Sequence, residues 1–300
     1  MIRLWRWIIS IVRPVKVDPN PMTVQQALAA GTAILKQADI PDPARDARLL
    51  MAACLGVDAG RLTLHVQDNM DAAAEAVFMA DVQRRAGGQP MSHLLGYRDF
   101  WSYRFKVTPD VLDPRPETET LIEAALAQPF DSVLDLGTGS GCILLTLLAE
   151  RGGATGIGAD ASPAALHIAE QNAAELGVAD RCALEVSDWY AGVEGTYDLI
   201  VSNPPYIAAD EMPGLTAELF HEPRMALTDE ADGRSCYRII TAGARAHLVQ
   251  GGWLMVEIGP TQGAAVSQLF DAAGLTDVQI RTDLDGRDRV VIGQNPQQTA

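Results

Sequence analysis

The segment Val133-Leu134-Asp135-Leu136-Gly137-Thr138-Gly139-Ser140-Gly141-Cys142-Ile143 decides the fold. Short apolar strand text runs into three glycines at alternate positions, and the apolar stretch CILLTLL follows at once. Glycine has no Cβ, so it turns the chain tightly and lets a ligand approach the backbone. Strand, glycine-rich turn and helix in that order make the first part of a βαβ unit.

Reading outward toward the carboxyl end, the pattern repeats. Strand text occurs at SVLDL (132–136), ATGIGA (154–159), CALEV (182–186) and YDLIV (197–201), then at GGWLMVEI (251–258), TDVQIR (276–281) and RVVIG (289–293). Helical text follows Gly141, Ser162, Gly233 and Thr261. The alternation predicts an α/β domain over residues 117–296: a Rossmann-like, mostly parallel seven-stranded sheet covered on both faces. Ligands of such sheets sit beyond the carboxyl ends of the strands, where the strand order reverses.

Reading toward the amino end, RDFWSYRFKV (98–107) predicts a β-hairpin within a linker of residues 89–116, and Pro116 opens a helix through ETETLIEAAL (117–126). Residues 23–88 carry three alanine-rich periodic stretches with Asp or Pro near their starts and Gly at their ends, the mark of a small helical bundle. Residues 1–22 are set apart. Their apolar text is interrupted by Arg6 and stopped by Arg13-Pro14, well short of the ~20 residues of a membrane span. They read as an extension outside the folded body, or as a short interfacial helix; no membrane span and no secretory signal is expected.

Composition narrows the function. The 300 residues carry 23 basic and 39 acidic side chains, a net charge of −16, which disfavours stable nucleic-acid binding. Cys54, Cys142, Cys182 and Cys236 are scattered and read as reduced cysteines of a cytoplasmic protein. Neither they nor the five histidines show metal-ligand spacing, so no metal is expected.

Asp160 ends the second strand of the α/β half, where an acid can accept from both hydroxyls of a ribose. Together with the glycine turn this predicts an adenosine site. A dinucleotide fingerprint places its third glycine one residue later than Gly141. After the third strand, Asp188 can accept from an adenine amino group and Trp189 can cover the ring, although the pair reads equally as a surface acid and a core ring.

Asn203-Pro204-Pro205-Tyr206 follows the fourth strand. Two prolines stiffen the chain and end the ladder, holding an amide before them and an aromatic ring after them. A conjugated –NH2 is a poor nucleophile because its lone pair is delocalised. The Asn203 side-chain oxygen and the Pro204 carbonyl can accept its two N–H bonds and aim that lone pair, and Tyr206 can stack on the planar group. Rigid acceptors avoid reorganisation during reaction.

Gly-x-Gly-x-Gly preceded by Asp135 resembles the first motif of S-adenosyl-L-methionine-dependent methyltransferases. The wider resemblance, over nearly the whole chain from Thr23, is to the PrmC/HemK family, the protein-(glutamine-N5) methyltransferases of peptide chain release factors. It is carried by PRPETE (114–119), GYRDFWS (96–102), VLDLGTGSGCI (133–143), SDWY (187–190), VSNPPYI (201–207), FHEPRMAL (220–227) and DGRSCYRII (232–240). The resemblance implies transfer of a methyl group from S-adenosyl-L-methionine to the side-chain amide of the Gly-Gly-Gln glutamine in class 1 release factors, leaving S-adenosyl-L-homocysteine.

It further implies that Asp135 lies near the amino-acid end of the cofactor. Gly137, Thr138, Gly139, Ser140 and Gly141 would line the cofactor, Asp160 would hold its ribose, and Asp188 and Trp189 its adenine. Asn203, Pro204, Pro205 and Tyr206 would take the glutamine, with Asn203 also close to the cofactor and Phe100 beside the pocket; a hairpin-core Phe100 reads nearly as well. The bundle of residues 23–88 would dock the factor, and the enzyme would act as a monomer. MVEIGPTQG (255–263) departs from the usual Glu-His-Gly of the family, leaving Glu257 without a neighbouring His. An adenine-N6 methyltransferase of DNA or RNA presents the same amino chemistry and is the competing assignment; a silent cofactor-binding scaffold is another, with no use for a preset pair of acceptors.

Overall fold

The computed structural model describes residues 21–297, which form two compact units divided between Gly87 and Gly88. Residues 1–20, and with them most of the extension set apart above, lie outside the described residues.

The smaller unit contains α1 (Val24–Gln37), α2 (Pro43–Leu55) and α3 (Ala72–Ala86). Thr23 and Gln26 close a reciprocal capping box at the start of α1, and the Asp71 carboxylate caps α3. Each satisfies backbone N–H groups left without helical partners, worth about 1 kcal/mol per cap. Val24, Ala27, Gly31 and Leu35 turn one stripe of α1 inward. A Cβ at Gly31 would stand 2.8 Å from Phe78 Cζ, so the missing side chain is what admits the Phe78 ring. Arg85 of α3 and Asp46 of α2 form a buried ion pair at 2.7 Å.

The larger unit opens with α4 (Met91–Leu95) and an antiparallel hairpin of β1 (Tyr97–Phe100) and β2 (Tyr103–Lys106). The segment read as a linker belongs to this unit. Phe100 and Phe105 meet edge to face, centroids 6.0 Å apart, and sink into one core with Leu121, Ile122 and Leu144. Pro116 starts a single 3-10 turn (Pro116–Thr118), and only then does α5 (Glu119–Leu126) begin.

There follow β3 (Ser132–Leu136), α6 (Cys142–Glu150), β4 (Thr155–Asp160), α7 (Pro163–Glu175), β5 (Cys182–Val186) and β6 (Tyr197–Ser202). After a long irregular connection come α8 (Ser235–His247), β7 (Leu248–Glu257), α9 (Gly263–Ala272), β8 (Thr276–Thr282) and β9 (Asp288–Gln294). The seven strands predicted from alternation are all present, in the order β5-β4-β3-β6-β7-β9-β8. In this sheet β9 is reversed, pairing antiparallel with both β7 and β8, while the remaining pairs are parallel.

Side chains alternate between the two faces of the sheet, as a period of two requires. Val133, Leu199, Val201, Val290 and Ile292 enter the core under α5, α6 and the hairpin. Leu134, Ile200 and Val291 enter the opposite core under α8 and α9, with Tyr237 and Phe270. Strand order reverses between β3 and β6, so their carboxyl ends open the crevice that such sheets reserve for ligands.

Replacing Phe78 by Ala should leave a cavity beside Gly31 and cost the bundle about 3–5 kcal/mol. Chemical denaturation of Phe78→Ala is expected to show an early transition absent from the parent. A single unshifted transition would show that the bundle does not depend on this ring.

Candidate active site

Two cavities meet at the carboxyl ends of β3, β4 and β6. The larger, about 500 Å³, is lined by Gly137, Thr138, Gly139 and Ser140, by Asp160 and Ser162, by Asp188 and Trp189, and by Asn203 and Pro205. The smaller, about 250 Å³, is lined by Glu117, Tyr206, Leu219, Glu257 and Arg289 among others. Arg115 and Asn203 belong to both walls.

The glycine turn is shaped for a ligand. Gly137 and Gly139 take φ of +72° and +55°, and a Cβ built on either would meet nothing within 4 Å. The open side of the turn is therefore bare backbone facing the cavity. The Asp160 carboxylate holds that backbone in place. Its Oδ2 accepts the Gly139 N–H at 2.9 Å and its Oδ1 the Ser162 N–H at 2.8 Å. Each oxygen keeps a lone pair for a ligand hydroxyl. Burial raises the Asp160 pKa, opposed by those two N–H bonds.

Four expected contacts fall elsewhere. Gly141 does not line either cavity: its Cβ position is 2.8 Å from Leu145 Cδ1 and 3.3 Å from Ala169 Cβ, so this glycine serves close packing of α6 and α7. Asp135 lies fully buried beneath the turn, where Oδ2 accepts from the Thr138 hydroxyl at 2.7 Å and the Leu144 N–H at 3.3 Å. It fastens the turn from below. Phe100 is a core residue of the hairpin, away from both walls. Pro204 is buried and contributes to neither lining, while Asn203, Pro205 and Tyr206 on either side of it do.

The strand-end tetrapeptide is held by side chains from distant segments. The Gln262 amide donates to the carbonyls of Tyr206 (2.9 Å) and Gly233 (3.1 Å), while its oxygen accepts the Gly259 N–H at 3.0 Å. Asn203 Nδ2 donates to Thr118 Oγ1 at 3.3 Å. Arg115 pairs with the buried Glu222 carboxylate, which also accepts the Asp113 N–H at 3.1 Å. That pair joins the turn of residues 114–119 to the segment of residues 220–227. Thr118, Glu257, Gln262 and Arg289 were not singled out as site residues from the sequence. Thr118 lies within PRPETE (114–119), and Glu257 and Gln262 within MVEIGPTQG (255–263).

The two cysteines of the larger wall are thiols, not thiolates. Cys142 and Cys236 line the larger cavity, and burial pushes both thiols up to about 12, so they stay uncharged. Burial likewise raises the Tyr206 phenol, which keeps its proton. Among the described residues no cluster of three metal-ligating side chains occurs, and no helix is long and apolar enough to cross a membrane.

Residues 26–96 match the family model of the PrmC N-terminal domain, and residues 113–235 that of the methyltransferase small domain. A release factor glutamine methyltransferase of Cereibacter sphaeroides is 54% identical, over 92% of this chain and 99% of its own. One from Rhodospirillum rubrum is 41% identical over 94% of this chain and 88% of its own. In fold, the larger part of the chain is similar to a methyltransferase from Pyrococcus furiosus (TM-score 0.50, 16% identity, 64% of this chain and 88% of that one).

Glu257 and Asp135 share an electrostatic signature. Burial pushes each carboxyl up to about 7, from 4.5 and 3.8. Between those values the folded chain retains protons that the unfolded chain has released. Stability therefore falls as pH rises through that window and levels off above it. Glu257→Gln removes one of the two groups. Its stability relative to the parent should rise from pH 4.5 to about 7.5, read from urea midpoints. A difference independent of pH would mean that Glu257 ionises normally.

Proposed function

Because this chain belongs to the family of release factor glutamine methyltransferases, we propose that it methylates the side-chain amide nitrogen of the glutamine in the Gly-Gly-Gln motif of class 1 release factors. The methyl donor is S-adenosyl-L-methionine, and the products are N5-methylglutamine and S-adenosyl-L-homocysteine. The observation that carries this reading is the place of Asn203, on the shared wall of a larger and a smaller cavity.

The larger cavity suits the donor. It offers bare backbone at Gly137 and Gly139, a fixed carboxylate at Asp160 for ribose hydroxyls, and Asp188 with Trp189 for an adenine edge and face. When bound, S-adenosyl-L-methionine supplies a methyl group activated by a sulfonium centre. The smaller cavity suits a slim polar side chain. Tyr206 in its wall offers a flat, protonated ring to a planar amide.

Chemistry then asks only for orientation. The Asn203 side-chain oxygen accepts an N–H bond of the glutamine amide and the Tyr206 ring stacks on its plane, turning its nitrogen lone pair toward the larger cavity. Their rigidity means that this alignment is set before reaction. The amide nitrogen sheds its proton late, once methylation has made it acidic, so no strong general base is needed. The helical bundle of residues 23–88 docks the body of the factor, and such a substrate goes with the cytoplasm.

Asn203→Ala should lower turnover by about a hundredfold, the cost of losing one positioned partner of the reacting group, with a smaller effect on cofactor affinity. Methyl incorporation into a release factor, read by mass spectrometry at the glutamine, measures it. Near-normal turnover would leave the tetrapeptide as a mere turn.

Asp160→Ala should weaken S-adenosyl-L-homocysteine binding by about 1.5–3 kcal/mol for each charged hydrogen bond lost. Unchanged affinity in calorimetry would move the adenosine site elsewhere. A release factor with Gln→Asn in Gly-Gly-Gln is expected to remain unmethylated. Asparagine is one methylene shorter, and a misplacement of about 1 Å costs roughly a hundredfold. Methyl transfer to adenine-containing oligonucleotides and none to release factors would favour a nucleic-acid methyltransferase.

A further inference from the structure

Trp189 takes a φ of +52°, in the left-handed region that favours glycine. It occupies the first central position of a turn closed by the Ala191 N–H on the Asp188 carbonyl at 3.1 Å. With a positive φ, such a position usually goes to glycine, asparagine or aspartate. Here it carries an indole that lines the larger cavity and is assigned the adenine face. A bulky residue keeps that conformation only where its surroundings impose it.

Ser187 imposes it from inside the turn. It is 5% exposed, follows β5 at once and lines the same cavity. Its hydroxyl donates to the Trp189 carbonyl at 2.8 Å and accepts the Gly192 N–H at 2.8 Å. The single proton and the oxygen of that hydroxyl are thus both engaged, one at the centre of the turn and one just past its end. Gly192 must come close for this. A Cβ on it would stand 3.2 Å from the Val186 carbonyl oxygen and 3.3 Å from Ser187 Oγ. The Ser187 N–H in turn donates to the Asp160 carbonyl at 3.0 Å. One residue therefore ties the ribose acid at the end of β4 to the ring that follows β5.

The outer side of the turn is fixed to α8. Tyr190 donates its hydroxyl to the Ile240 carbonyl at 2.9 Å, and its ring stacks on that of His247, centroids 4.6 Å apart. A Cβ at Gly243 would be 2.5 Å from Tyr190 Cδ2, so the bare glycine is what admits the ring. Tyr190 places the turn against the helix; the Trp189 carbonyl itself is gripped by Ser187.

We infer that Ser187 is a positioning residue for cofactor binding: its hydroxyl, bonded to the Trp189 carbonyl and the Gly192 N–H, holds the turn that keeps Trp189 in its left-handed conformation, with the indole in the wall of the larger cavity. The inference rests on reading that cavity as the adenosine site. It adds the residue that places the adenine ring's platform relative to the ribose acid. Without the hydroxyl, the Trp189 carbonyl and the Gly192 N–H lose their common partner. The turn then relaxes toward a negative φ at Trp189, and the indole leaves its place in the wall.

A double-mutant cycle in full-length protein tests this, with the calorimetric Kd for S-adenosyl-L-homocysteine as the readout. Trp189→Ala should raise Kd by about tenfold or more, as the loss of a base-stacking ring does. Ser187→Ala should raise it by about fivefold, through misplacement of that ring. In Trp189→Ala protein, adding Ser187→Ala should shift Kd by less than about twofold, because no ring is left to place.

A merely structural Ser187 would raise Kd by the same factor in both backgrounds. That pattern overturns the inference, and so does an unchanged Kd in either single variant. If Ser187→Ala does not fold, Ser187→Cys, which replaces the hydroxyl by a weak donor, is read by the same cycle. Parent protein that binds no S-adenosyl-L-homocysteine would instead overturn the adenosine reading, and the inference with it.

Discussion

The buried Ser202 hydroxyl donates to the Leu136 carbonyl at 2.6 Å, tying together the ends of β6 and β3 where the strand order of the sheet reverses. Everything at the site departs from that knot. Gly137 begins the glycine turn one residue after Leu136, and Asn203 begins the stiff tetrapeptide one residue after Ser202. Backbone pairing sets the two strands in register, Leu136 beside Ser202, and the hydroxyl satisfies a carbonyl that the ladder would otherwise leave open at the crevice. The bare backbone of the turn and the Asn203 amide are thereby brought side by side in the wall of one cavity.

Around that knot the loops are braced by polar side chains drawn from far along the chain. Asn172 accepts the Lys106 N–H at 2.7 Å and donates to the Ser140 carbonyl at 2.8 Å, linking hairpin, α7 and glycine turn. Gln262 does the same for the tetrapeptide and the approach to α8. Arg115 and Glu222 bind two irregular segments through buried charge. Such a pair adds little net stability, because desolvation offsets attraction, but breaking it leaves a stranded charge. Its consequence is positional: segments without helix or strand periodicity still have one arrangement. Placement of that kind is what a reaction requiring only orientation depends on.

Glu257 and Asp135 show the cost of the arrangement. Each is a carboxyl buried deeply enough that its titration moves to about 7, and each carries one oxygen without a protein partner. A chain selected for stability alone would have apolar side chains there. Asp135 fastens the turn from below, and Glu257 stands in the wall of the smaller cavity.

By itself the sequence determined the architecture. Alternating apolar text marks strands, and glycine or proline marks their ends, because these signals depend on steric rules acting within a few residues. The glycine turn, Asp160 and Asn203-Pro204-Pro205-Tyr206 were legible for the same reason: each is a local pattern at the end of a strand. The burial of Phe100 and the packing of Gly141 against Leu145 and Ala169 were decided only by tertiary structure, because the direction a side chain faces depends on what packs over it. The same holds for the Thr118 contact with Asn203, 85 residues away, and for the Gln262 contact with Tyr206, 56 residues away. No spacing rule connects residues so far apart. Only the folded sheet, by bringing the ends of β3, β6 and β7 together, gives them a common neighbour.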